Sequence, residues 1–118
     1  MNQEEVRSLQ EALKQERRRI FDEVAETEAE LEFIHEEHEP ELVERGQEAS
    51  RELLFERLDQ RGKQEIEQID AALVRIADGT YGLCVDCGAH IGMARLNAIP
   101  AASLCIGCAN SHEGQTSR

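Results

Sequence analysis

Four cysteines constrain this chain more than any other feature. They stand as Cys84-x2-Cys87, seventeen residues, then Cys105-x2-Cys108. Each pair places two sulfurs on one tight knuckle, and two facing knuckles complete a tetrahedron of thiolates around a metal ion. The spacing falls within the zinc-ribbon pattern, and Gly88 directly after Cys87 suits the tight turn. One Cys-x-x-Cys is a weak signal, whereas two at this separation are specific. Cys84, Cys87, Cys105 and Cys108 are therefore expected to hold one structural Zn2+. Four thiolates leave zinc no open coordination position, so the metal is not expected to act as a Lewis acid. Its binding supplies the folding energy that so short a segment, poor in apolar residues, lacks. Oxidation of the thiolates with release of zinc is a secondary reading of the same residues.

The rest of the chain reads as helix. Asn2 with Glu5 three residues on forms a helix-starting pair. Val6, Leu13, Ile20 and Ile34 recur in one heptad register, and Val24 and Leu31 in the other. Gln10, Arg17, Thr27 and His38 fill the remaining seam positions, so the seam is imperfect. The pattern predicts one helix to about Glu37, on the order of 50 Å long. Pro40 is the first break and suits the start of a second helix. That helix carries Leu42, Ala49, Leu53, Leu54, Leu58, Ile66, Ile69, Leu73 and Ile76, and stops at Gly79. Gly62 interrupts its stripe and marks local bending or close helix approach. Two long helices joined by a short turn fold back on each other as an antiparallel coiled-coil hairpin. The rival arrangement is an intermolecular coiled coil with the Pro40 region opened out.

The expected fold class is thus mainly α, an antiparallel coiled-coil hairpin followed by a small C4 zinc-ribbon module. The hairpin takes residues 1–78, with its tip near 39–46. The zinc module takes 79–110, and 111–118 reads as a disordered polar tail.

Charge narrows the partners. The net charge is −12. Residues 1–78 hold 23 acidic and 11 basic side chains, and residues 79–118 hold two of each. Between residues 20 and 50, 12 acidic side chains face one arginine, Arg45. Such a surface repels phosphate backbones, so direct DNA binding is disfavoured and a protein partner with a basic groove is preferred. No stretch approaches the roughly 18–20 apolar residues of a membrane span, and the N-terminus lacks a signal-peptide core. A cytoplasmic protein is expected, a compartment that keeps thiols reduced and fit for metal.

The ordered segment Gly79-x-Tyr81-Gly82-x-Cys84-x2-Cys87-Gly88-x2-Ile91-x3-Arg95-Leu96-x-Ala98-x-Pro100-x4-Cys105-x2-Cys108 closely resembles the DksA/TraR family of bacterial transcription regulators. The acidic helical hairpin before it fits the same family. The resemblance implies a regulator of transcription initiation, tied to the stringent response, whose partner is bacterial RNA polymerase. The zinc module would sit at the mouth of the secondary channel, and the coiled coil would carry its tip toward the active site without touching DNA. The family's tip motif, Asp-x-x-Asp-x-Ala, falls on Glu41-x-x-Glu44-x-Gly46. The carboxylates are kept as a type, each one methylene longer, and Ala becomes Gly. Glu41 and Glu44 lie on one face of a first helical turn, where acidic residues are also favoured simply by the helix dipole.

The resemblance also locates the basic positions that help form a guanosine tetraphosphate site shared with polymerase. Three of them are Gln68, Ile99 and Ala109 here, and Arg61 alone keeps its charge. A phosphate-rich ligand needs cations, so weak or absent use of that site is expected.

Other residues carry blander readings. His38 falls on the seam, and His35, His90 and His112 add nothing that four cysteines require. Met93 and Ile91 are read as packing for the zinc module. Arg17, Arg18 and Arg19 are expected to pair within their helix with Glu16, Asp22 and Glu23, or else to meet an acidic rim on polymerase. No phosphate loop, nucleophile elbow or carboxylate pocket appears, so the chain is not expected to be an enzyme. It is expected to work as a monomer. The rival functions are a zinc-ribbon nucleic-acid binder, which needs a basic face, and a structural coiled-coil oligomer.

Overall fold

Asn2 starts the first helix as its side chain predicts. Its Oδ1 accepts from the Glu5 amide at 2.8 Å, and Glu5 Oε1 accepts from the Asn2 amide at 2.9 Å. These reciprocal bonds satisfy donors that the helix itself cannot reach. The computed structural model describes residues 1–36 and 45–116, with side chains described for 1–36 and 49–112. Within these, six helices follow in order: α1 (Gln3–Asp22), α2 (Glu28–His35), α3 (Arg45–Glu56), α4 (Gln60–Asp78), α5 (Met93–Ala98) and α6 (Ile106–Thr116). The described residues form no strand, only an isolated antiparallel bridge between Leu83 and His90. The fold is mainly α, a helical hairpin followed by a small four-cysteine module. Helix α6 carries the backbone to Thr116, through residues whose polar composition had pointed to an unstructured tail.

The chain forms two compact units. One comprises Lys14–Glu67, and the other comprises Met1–Leu13 with Gln68–Arg118. The cysteine segment therefore packs with the start of α1 and the end of α4. Leu9, Leu13, Ile69, Ala72, Tyr81, Ile91, Leu96 and Ala102 are buried in that unit. Leu9 lies outside the heptad registers read from the sequence, one turn before Leu13 on the same face.

Among the described residues of the Lys14–Glu67 unit, Ile20, Phe21, Ile34, Leu54, Leu58 and Ile66 are buried. Phe21 also escaped the heptad reading. Leu31 and Leu53, both assigned to the stripe, are 40% and 51% exposed. Leu53 is the helical neighbour of buried Leu54 and points about 100° away from it. Leu31 follows a break, because neither arm is one continuous helix. Helix α1 closes at Asp22 with tight turns from the Val24 amide to Phe21 O and from the Ala25 amide to Asp22 O. Thr27 then caps α2: its Oγ1 accepts from the Glu30 amide at 3.1 Å, while Glu30 Oε1 accepts from the Glu26 amide at 2.8 Å. In the other arm the Arg57 and Leu58 amides turn back to Leu54 O and Phe55 O. Asp59 restarts the helix by accepting from the Gly62 amide at 2.8 Å. A restart can shift the rotational phase, and the heptad frame fails at Leu31, although Ile34, in register with Leu13 and Ile20, stays buried.

Gly62 thereby acquires a different meaning. It is the third residue of α4, not a flaw in mid-helix. A β-carbon there would come within 3.3 Å of Leu58 Cβ and Asp59 Oδ1. These neighbours belong to the turn that leads into α4 and not to another helix, so the glycine serves the local cap at the break.

The basic run behaves largely as a helical surface. Arg19 bonds Glu16 and, at 2.8 Å, Glu23, which lowers the Glu16 carboxyl below its ordinary range and raises Arg19. Arg17 lies over the Phe21 ring, 4.8 Å from its centre. Asp22 departs from the expected pairing and meets His35 Nε2 at 3.0 Å instead.

Candidate metal centre

The first knuckle is built by glycines. Gly82 and Gly88 adopt φ of +89° and +77°, conformations that side-chain-bearing residues rarely occupy. They allow the backbone to close twice around Cys84. The Gly88 amide donates to Cys84 O at 2.9 Å, and the Cys84 amide donates to Ala89 O at 2.8 Å. The Ile91 amide then reaches Gly82 O at 2.9 Å. The second knuckle is built differently, from the start of a helix. Cys105 immediately precedes α6 and Cys108 lies in its first turn; the Ala109 amide donates to Cys105 O at 2.9 Å, and the Cys108 amide points to Cys105 Sγ at 3.5 Å. A helix N-terminus favours negative charge, which suits two thiolates.

The knuckles are held face to face by residues between them. The Val85 amide donates to Ser103 O at 2.9 Å. Buried Tyr81 donates its hydroxyl to Pro100 O at 2.7 Å, and Arg95 Nε donates to Leu104 O at 2.9 Å. Leu96, 1% exposed, fills the space beneath. Tyr81, Arg95, Leu96 and Pro100 were thus more than motif markers in the sequence: they fix the path from one cysteine pair to the other. Ile91 is buried as expected, and Met93 is half-buried beside Leu9 and Asn97. His112 on α6 meets the Asp86 carboxylate beside Cys87, a contact that sequence reading missed. His90 is exposed.

All four sulfurs lie within 4.8 Å of one another. A tetrahedron with Zn–S bonds of about 2.3 Å has edges of about 3.8 Å. Cys87 Sγ and Cys105 Sγ stand 3.7 Å apart, so the cluster fits zinc. Cys84 is buried, Cys105 and Cys108 half-buried, and Cys87 exposed.

The electrostatics of the four thiols agree. Backbone hydrogen bonds from Cys105 and Cys87 bring the Cys84 thiol down to about 6. Cys108, facing the thiols of Cys105, Cys84 and Cys87, is pushed up to about 12. At Cys87 the Ala89 backbone favours the thiolate, but Cys84 and Cys105 outweigh it and raise the pKa. The pocket welcomes a thiolate at Cys84 and resists one at Cys87 and at Cys108. A divalent cation removes that resistance, and the ion that suits four thiolates in a closed tetrahedron is zinc.

The tip residues named from the sequence fare differently. Glu41 and Glu44 lie outside the described residues. Gly46 is the second residue of α3.

Residues 79–114 match the family described as the prokaryotic dksA/traR C4-type zinc finger. The chain is 33% identical over 113 residues to the "RNA polymerase-binding transcription factor DksA" of Caulobacter vibrioides, covering 96% of this chain and 79% of that protein. Two solved structures are similar throughout. The transcription factor DksA2 of Pseudomonas aeruginosa gives a TM-score of 0.64 at 26% identity, over 99% of this chain and 89% of that one. The DnaK suppressor protein of Agrobacterium tumefaciens gives 0.59 at 36% identity, over 94% of each.

Proposed function

Because this chain belongs to the DksA/TraR family of C4-type zinc-finger proteins, we propose that it regulates transcription initiation by binding bacterial RNA polymerase in the cytoplasm. The observation that carries this reading is the four-sulfur site, set in a segment that matches the family, in a chain matched over 96% of its length by a relative named for binding polymerase. In this reading the chain enters the secondary channel as a monomer, without contacting DNA and without catalysing a reaction. The zinc builds a rigid base and does no chemistry. Glu41, Glu44 and Gly46 form the working tip near the active site. The excess of carboxylates in residues 20–50 supports a basic protein channel as the partner and speaks against a nucleic-acid backbone.

Gln68, Ile99 and Ala109 leave Arg61 as the one cation among the positions expected to meet guanosine tetraphosphate. We therefore read this chain as largely indifferent to that nucleotide. The test is in vitro transcription from a ribosomal promoter with the zinc-loaded protein. Wild type is compared with Glu44→Ala, with and without guanosine tetraphosphate, alongside a polymerase pull-down. Expected are polymerase capture by both proteins, a transcriptional effect lost in Glu44→Ala, and less than a twofold response to the nucleotide. No capture at micromolar protein would refute the reading.

A further inference from the structure

The two helix breaks face each other, and one side chain joins them. Arg57 sits in the α3–α4 break. Its Nη1 donates to Val24 O in the α1–α2 break at 3.2 Å and to Glu30 Oε1 at 2.7 Å. Its Nη2 donates to Glu30 Oε2 at 2.8 Å, and its Nε lies 3.7 Å from Glu26 Oε1. A two-pronged guanidinium–carboxylate pair of this kind fixes direction as well as distance. The Arg57 and Glu30 side chains are 23% and 17% exposed, whereas Arg61 in the ordinary surface pair with Glu65 is 88% exposed.

Glu30 has a second task. The oxygen that receives Arg57 Nη1 also accepts the Glu26 amide, and the Glu30 amide is the one that Thr27 caps. The start of α2 and the arginine are thus tied through a single carboxylate. At both breaks the helical ladder is interrupted, so bending there demands backbone changes in only a few residues. In a pair of unbroken helices the ladder would resist that motion. Here Arg57 crosses from one break to the other.

We propose that the paired breaks form a hinge and that Arg57 is its latch. Arg57 is a positioning residue. It fixes the direction of α2 and α3 relative to the helical pair Lys14–Asp22 and Gln60–Glu67, and so sets the size of the transcriptional effect. The functional half of this inference rests on the reading given under Proposed function; the latch itself does not.

The experiment uses the full zinc-loaded chain in four forms: wild type, Arg57→Gln, Glu30→Gln, and the exchanged pair Arg57→Glu with Glu30→Arg. Hydrogen exchange is measured by NMR, and transcription and polymerase affinity are measured in parallel. In both single variants the amides of Glu26, Glu30 and Gly62 are expected to exchange at least tenfold faster. Those of Cys84 and Ile91 should stay within twofold. Polymerase affinity should stay within about threefold of wild type while the maximal transcriptional effect falls at least fivefold, and the exchanged pair should recover part of both losses. If Arg57→Gln fails to take up one zinc, Glu30→Gln, which only neutralises the carboxylate, decides the matter. Unchanged exchange at the breaks overturns the latch. Faster exchange with a full transcriptional effect overturns the positioning role. A wild-type protein that does not bind polymerase overturns the functional reading and the positioning role together, while the exchange contrast still decides the latch.

Discussion

Removing the Tyr81 hydroxyl tests whether the zinc site depends on the path between its knuckles. In Tyr81→Phe the ring remains in its buried place and only the bond to Pro100 O, 2.7 Å long, is lost. A neutral hydrogen bond contributes about 0.5–1.5 kcal/mol net, and stranding its buried partner costs about 1–3 kcal/mol. Pro100 is half-buried, so water reaches its carbonyl in part and the lower range applies. The expected loss is about 1–2 kcal/mol. Folding of such a module is bound to metal uptake, so the loss appears as weaker zinc affinity, about 5–30-fold at about 1.4 kcal/mol per tenfold. Competition against a chromophoric chelator at pH 7.5 measures it directly. Burial raises the Tyr81 pKa, so the hydroxyl holds its proton and the contribution is complete below the unfolded value of about 10. It declines only as pH rises beyond that toward the folded value. Equal zinc affinities for the two proteins at pH 7.5 would refute the argument that this bond holds the second knuckle in place.

Leu53 and Leu54 stand side by side in the same sequence stripe, yet only Leu54 is buried, at 1% exposure. Leu54→Ala should cost about 2–5 kcal/mol in urea unfolding, and Leu53→Ala within about 0.5 kcal/mol; equal costs would contradict the burial of one face of α3 at Leu54. Acid should open the Arg57 latch. Arg57, followed by the Glu26 backbone, lowers the Glu30 pKa to about 2 from an ordinary value of 4.5. Its contribution is complete above about pH 4.5 and is lost as pH falls toward 2. The Glu30 side-chain carboxyl and Thr27 amide resonances should therefore titrate near pH 2 in wild type, and a midpoint near 4.5 would contradict the pairing. They are followed instead of total helicity, because zinc leaves the thiols over an overlapping acidic range.

Much of this was legible in the residues. The cysteine spacing dictated a four-sulfur cluster because ligand chemistry allows few alternatives. Asn2 and Glu5 marked a helix start because the reciprocal cap is local and needs no tertiary partner. The long helices were harder. Heptad reading assumes one continuous phase, and Leu31 was counted in the frame of α1 although a break lies between; Leu53 was counted in the stripe with Leu54 although neighbours on a helix point about 100° apart. The signals for the restarts were nonetheless present: Thr27-x-x-Glu30 is a capping box, and Asp59 stands where a cap acceptor belongs. They were overshadowed by an apolar pattern that continued past them. Arg57 was not legible at all. Its partners lie 27 and 33 residues away, and pairing over that distance follows only once both breaks are in place. The same holds for Tyr81 and Pro100, where the motif identified the residues and the folded path supplied the bond.

The closed sulfur tetrahedron has an electrical consequence. Counted by side chains alone, residues 79–118 are neutral and the chain carries −12. Zinc binding converts four thiols to four negative charges and returns two positive ones, so the loaded module carries −2 and the whole chain −14. The cysteine end is then an anion of its own, adding to the negative field of the helical arms. Any basic surface would attract both units, and rising ionic strength would weaken that attraction, with a screening distance of about 8 Å at physiological salt.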